Sequence, residues 1–188
     1  MRMANLGHMF VRGRRMAGVW AVAAVALALT TACTPDAAPT PSPSPTGFAS
    51  EEEAFAAAEE AYRAYVDALN KVDLSDPETF EPVFALTTGD ARNAARKSFS
   101  QMSADGWTVN GESVVILTEP AGVDTELREV SLAICVDVSN VTLVDRGGQS
   151  QVGDRPDRQS LLAVVVPLDD HWAIQSFEGR DGEPSCGL

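Results

Sequence analysis

The chain has 188 residues, with 27 acidic against 14 basic side chains, three cysteines and two histidines. That length holds one domain plus targeting sequence rather than two full domains, and 45% apolar residues suffice for a packed core. The few histidines and cysteines lack zinc-ligand spacing, and no phosphate-binding loop, dinucleotide fingerprint, H-E-x-x-H or G-x-S-x-G motif is present, so neither a metal nor a cofactor is expected.

The first sixteen residues carry Arg2, Arg12, Arg14 and Arg15 and no acid, and an apolar run follows from Ala17 to Leu29. A basic start, a short apolar run and small residues before a break form the pattern of an export signal. The run is shorter than the roughly 20 residues that span a bilayer, which weighs against an uncleaved anchor. Leu29-Thr30-Thr31-Ala32-Cys33 resembles a bacterial lipobox, whose cysteine is diacylated and becomes the mature first residue. Thr30 stands where that motif usually has leucine. Arg14-Arg15 raises the twin-arginine export route, but the residues after it lack the rest of that motif. Residues 1–32 are thus expected to be a lipoprotein signal peptide, with Cys33 as the lipid attachment site.

Residues 34–47 read TPDAAPTPSPSPTG and hold five of the eleven prolines. Such a stretch neither buries apolar surface nor forms a ladder. Residues 33–48 are expected to be a tether, reaching roughly 40 Å in polyproline geometry. The Ala, Pro and Arg bias suggests a GC-rich, actinobacterial genome. Removing residues 1–32 takes away four arginines and no acid, so the net charge of −13 becomes −17. A domain this acidic is repelled by nucleic acid and anionic lipid. Membrane association then falls to the lipid on Cys33, at the outer face of the cytoplasmic membrane.

Ser50 followed by Glu51, Glu52 and Glu53 fits a capping box, and the acids suit the positive end of a helix. Phe55, Tyr62, Tyr65, Val66, Leu69 and Val72 then share one face of a helix of about six turns. Glu59 and Arg63 form an i,i+4 pair on the other face. A second, short helical piece is expected over Glu78–Leu86, interrupted by Pro82. A third helix runs from about Thr88 to Asp105, its apolar stripe made by Ala91, Ala94, Ala95, Phe99 and Met102, with Gly106 placed to end it. Arg92, Arg96 and Lys97 lie off that stripe and read as a solvated face paired with local acids, a partner contact being the minority alternative.

From Trp107 the pattern changes to strands: Trp107–Val109, Ser113–Thr118, Leu127–Val138, Val141–Val144, Ser160–Leu168 and Trp172–Phe177. Turn chemistry separates them at Asn110-Gly111, Glu119-Pro120-Ala121-Gly122, Arg146-Gly147-Gly148 and Asp169-Asp170. Leu132, Ile134, Val136 and Val138 alternate with Ser131, Ala133, Cys135 and Asp137. Leu161–Val166 is apolar on both faces, as in a strand covered twice. Helices first and antiparallel strands second predict an α+β fold over residues 49–188, with amino-terminal helices packed on one face of a curved antiparallel sheet.

That order, with the stretches TTGDARNAARKSFSQMSADGW, LAICVDVSNVTLVDRGG and HWAIQSFEGRDGEPSC, resembles small actinobacterial secreted lipoproteins of the nuclear transport factor two-like, or cystatin-like cone, superfamily. The resemblance implies a cavity between helices and sheet. It implies no single function, since that superfamily holds enzymes, ligand binders and assembly modules.

In an exported domain with Cys33 acylated, Cys135 and Cys186 remain as the pair available for a disulfide. Such a bridge closes a loop of about 50 residues, worth roughly 4 kcal/mol by chain entropy. The alternative is two unpaired thiols. Tyr62, Tyr65 and Asp137 are the candidates for cavity lining, as an isomerase-like site needs a carboxylate base and hydroxyl donors. Against catalysis, the tyrosines share the packing stripe and Asp137 sits at a strand end beside Ser139 and Asn140. His171 opens the last strand beside Asp169 and Asp170, and His8 lies in the export signal. The leading expectation is a non-catalytic, lipid-anchored binding module for a small molecule or cell-envelope protein. The alternatives are a small cavity enzyme of isomerase, dehydratase or hydrolase kind, and a structural module that pairs as a homodimer.

Overall fold

Glutamates 51–53 begin the first helix as expected. In the computed structural model, which describes residues 50–187, α1 spans Glu51–Leu69 and the Ser50 hydroxyl accepts from the Glu53 backbone N–H at 3.1 Å. The export signal, His8, the tether and the lipid site Cys33 lie outside the described residues. The buried side of α1 is made by Ala54, Ala58, Ala61, Tyr62 and Val66, with Phe55 and Tyr65 half-buried beside them. The alanines are the part the stripe of large residues did not reveal: small side chains let the helix approach the sheet closely. Glu59 and Arg63 pair at 2.7 Å on the exposed side.

The helix stops at Leu69, one turn before Val72. Asn70 ends it and turns its amide on Ser113, donating to the Ser113 carbonyl at 2.9 Å and accepting from its N–H at 2.8 Å. A 3-10 turn at Pro77–Phe80 leads into the short α2, Glu81–Ala85. Pro82 does not interrupt this piece. It lies in the first turn of α2, where a missing N–H leaves no bond broken. The buried Thr87 hydroxyl donates to the Val83 carbonyl at 2.9 Å and closes the segment.

The third helix, α3, spans Gly89–Asp105 and ends at Gly106 in the left-handed conformation. Its basic residues are not simply a solvated face. Arg92 donates to the Thr87 carbonyl at 2.6 Å, and the Arg96 guanidinium lies 5.1 Å from the centre of the Phe84 ring. Phe80, Phe84 and Phe99 pack into one aromatic cluster, with Phe80 and Phe99 5.2 Å apart.

Six strands follow: β1 Thr108–Asn110, β2 Val114–Asp124, β3 Glu129–Asp137, β4 Thr142–Val144, β5 Arg158–Leu168 and β6 His171–Gly179. They do not form one continuous meander. The main antiparallel sheet has the order β2-β3-β5-β6, while β1 and β4 pair separately. Residues 119–122, expected as a turn, continue β2. Pro120 is accommodated on the free edge of the sheet, where the register shifts between Pro120 and Gly122. Leu127, expected inside β3, is exposed in the loop before it.

Val130, Leu132 and Ile134 of β3, Ala163 and Val165 of β5 and Ile174 of β6 form one core with α1 and Ala91 of α3. The helices thus share one face of a curved antiparallel sheet, the expected α+β, cone-like arrangement. Among the described residues no second layer covers the other face: Leu162, Val164 and Val166 stay half-buried there, so the doubly apolar run of β5 did not mean double cover. On that outer face Cys135 is bonded to Cys186, with Cα atoms 5.4 Å apart, which ties the carboxy-terminal tail to β3.

Candidate functional site

The space between α1 and the sheet is incompletely filled. A cavity of about 150 Å³ is bounded by Tyr62, Tyr65, Val136, Gln159, Leu161 and Phe177. The rings of Tyr62, Tyr65 and Phe177 form its roof, with Tyr65 and Phe177 5.3 Å apart and Tyr62 and Tyr65 6.2 Å apart. Leu69, Ser113, Val138 and Gln159 are shared with a wider pocket of about 400 Å³. That pocket opens between the end of α1, α3 and the β1–β4 pair, against Phe99, Met102, Leu143 and Arg155. The short β1–β4 ribbon, paired apart from the main sheet, lines this pocket through Val109, Asn110 and Leu143.

Burial pushes the Tyr65 phenol up to about 12, and burial together with the neighbouring Tyr65 raises that of Tyr62 further. Both are therefore neutral hydroxyls at physiological pH, fit to donate or accept a hydrogen bond and unfit to act as bases. No Asp, Glu or His lines either space among the described residues. An adjoining groove between α1, α3 and β6 does carry carboxylates, Asp90 and Glu178, and both are exposed.

Tyr62 is buried in the core with Tyr65 half-buried beside it, and both border the cavity. Asp137 is not brought to them. On β3 it alternates with Val136 and faces the outer side of the sheet, beside Asp157 and Arg158. Its Oδ1 accepts from the Ser139 hydroxyl at 2.6 Å and from the Ser139 N–H at 2.9 Å, and Arg158 lies 3.6 Å from Oδ2. The Ser139 bonds, aided by Arg158, hold this carboxyl below its ordinary value, so it stays ionised as a turn cap. His171 lies on the exposed side of the β5–β6 hairpin, its ring nitrogens 3.1 Å from the Asp170 carboxylate and 3.1 Å from the Ala85 carbonyl. Neither residue meets a tyrosine hydroxyl or a second carboxylate in a closed cleft.

Arg155 and Gln159 escaped the sequence reading. Gln159 sits at the start of β5 with the same face parity as Leu161 and Ala163, a polar residue at an inward position, and that was a legible signal. Arg155 is one of several charged residues in a Gly- and Pro-containing loop, and nothing local set it apart.

No protein-family model matches the chain, and no curated protein matches it. Among solved structures, it is similar to a candidate aromatic ring hydroxylase from Novosphingobium aromaticivorans, at 15% identity over 67% of this chain and 87% of that one, with a TM-score of 0.43. It is also similar to the intermembrane space region of the chloroplast protein ARC6, at 12% identity over 65% and 95% of the two chains, with a TM-score of 0.44. Aln2 from a Streptomyces species is a third, at 12% identity over 65% and 86%, with a TM-score of 0.40. Likeness of this degree leaves function to be argued from the cavity.

Proposed function

We propose that the protein is a lipid-anchored extracytoplasmic binding module that takes a small apolar molecule between α1, α3 and the sheet. The observation that carries this reading is a largely apolar lining whose polar groups are neutral hydroxyls and amides and one cation, Arg155, with no carboxylate or imidazole among the described residues. General acid–base chemistry needs a titratable group in reach of the substrate proton, whereas binding needs an apolar concavity with a few polar groups that orient the ligand. The anchored location rests on the basic and apolar start of the chain, the lipobox-like run ending at Cys33 and the Pro-rich stretch behind it. The order of helices and strands supports its kinship with the cone superfamily.

Two experiments test the proposal. Leu69 borders both spaces, so Leu69→Trp is expected to fill them and to lower binding of the neutral dye Nile red at least about tenfold while the fold is kept. Unchanged dye binding in a folded Leu69→Trp protein would remove the cavity from the proposal. For the anchor, labelling with an alkyne fatty acid followed by peptide mass spectrometry is expected to place lipid on Cys33. A mature chain cleaved elsewhere and released from the membrane would overturn it.

A further inference from the structure

Among the described residues, Arg155 is the one charged side chain in the wall of the wider pocket. Arg155 is half-buried, and its Nη2 donates to the carbonyls of Val138 and Val141, both at 2.9 Å. These two bonds hold the guanidinium at the pocket wall and use one of its three nitrogens. Nε and Nη1 have no protein acceptor among the described residues, and neither flanking acid, Asp154 nor Asp157, forms an ion pair with it. In a chain with 27 acidic against 14 basic residues, a half-buried cation without a carboxylate is out of keeping. The rest of the wall combines apolar side chains, Val72, Phe99, Met102 and Leu143 among them, with the neutral polar residues Asn70, Asn110, Ser113 and Gln159.

We infer that this pocket selects an apolar monocarboxylate, with the carboxylate on Nε and Nη1 of Arg155 and the hydrocarbon body against Phe99, Met102 and Leu143. The inference rests on the binding reading above and adds the ligand class to it. A guanidinium fixed by two backbone carbonyls is preorganised, so little freedom is lost when it accepts a carboxylate. Charge-assisted bonds of this kind are stronger than neutral ones. A neutral ligand of the same shape forgoes them, and a cation meets Arg155 with like charge.

The test compares 4-phenylbutyrate, 4-phenylbutan-1-ol and 4-phenylbutylammonium by isothermal titration of the full-length chain in nonionic detergent. The acid is expected to bind about tenfold or more tightly than the alcohol, and the ammonium weakest. Arg155→Gln is expected to bring acid and alcohol within about twofold by weakening the acid alone, and Arg155→Lys to retain part of the preference. An alcohol that binds as well as the acid overturns the inference, as does an acid preference that survives Arg155→Gln. Should Arg155→Gln fail to fold, the series on the unmodified protein and on Arg155→Lys still decides. Nile red separates the levels: dye binding that Leu69→Trp abolishes, without an acid preference, sinks only the ligand class, whereas no binding of dye or of any phenylbutyl probe sinks the binding module as well.

Discussion

His171 joins two elements through one ring. The Asp170 carboxylate and the Ala85 carbonyl are both acceptors, so both are satisfied together only by the doubly protonated imidazolium. The Asp170 hydrogen bond, the Ala85 carbonyl and the charges of Asp170 and Asp169 raise the histidine above its ordinary 6.5. A raised folded value means stability that is fully present below the unfolded value and is lost as pH rises through the folded one. The partner Asp170 is held below its ordinary 3.8 by His171, so its share is present above that value and lost on acidification. Between these limits, near pH 5.5, the clip is complete. Thermal melts at pH 5.5 and 8.5 are expected to show a larger difference for the native chain than for His171→Gln; equal differences would show that the ring contributes nothing. Packing decides the deeper positions. Ile134 is fully buried beneath α1, and Ile134→Ala is expected to cost about 2–5 kcal/mol by urea unfolding.

At the scale of elements, two contacts set where strands begin. Asn70 presents its amide to the Ser113 backbone much as a neighbouring strand would, and so locks the start of β2 to the end of α1. Asn70→Ala leaves both Ser113 groups unpaired in a half-buried place, with an expected loss of about 1–3 kcal/mol. Gly111 follows β1 with φ +88, and a Cβ there would collide with the Asn140 carbonyl before β4. Gly148 also has a positive φ, +78, yet faces open space. Alanine at Gly148 is therefore expected to cost only the left-handed penalty of about 1–2 kcal/mol, and alanine at Gly111 more than that. Chemical denaturation of the two variants side by side measures the difference. Equal losses would mean that the β1–β4 ribbon yields freely to the added carbon.

For the whole molecule, the bond from Cys135 to Cys186 shortens the accessible unfolded chain across a sequence separation of 51. A double Cys135→Ser, Cys186→Ser variant is expected to lose up to roughly 4 kcal/mol of stability while ligand binding persists, because the bond lies on the outer face and the cavity on the inner one. A variant that kept its denaturation midpoint would show that the tail is held without the bond. The separation of faces also explains why Asp137 and the tyrosines cannot form one site: a one-residue step along β3 moves a side chain through the sheet.

What the sequence determined by itself is what periodicity and composition encode. The three helices, the strand-rich second half and the outward cysteine follow from local patterns whose periods of 3.6 and 2 are dictated by backbone geometry. The Ser50 cap and the Gly106 stop were legible for the same reason. Other features depend on which strand lies next to which. Pro120 reads locally as a break, and only its place on a free edge makes it part of β2. Leu162 and Val164 read as core, and they stay half-exposed because no second layer among the described residues covers that face. The β1–β4 ribbon, paired apart from the main sheet, lines the wider pocket, and the loop after β4 carries Arg155 to its wall. Asn70, Ser113 and the segment 155–159 are far apart along the chain, and no local pattern couples them. Their meeting was decided by tertiary packing, because a cavity is the space that several elements fail to fill together.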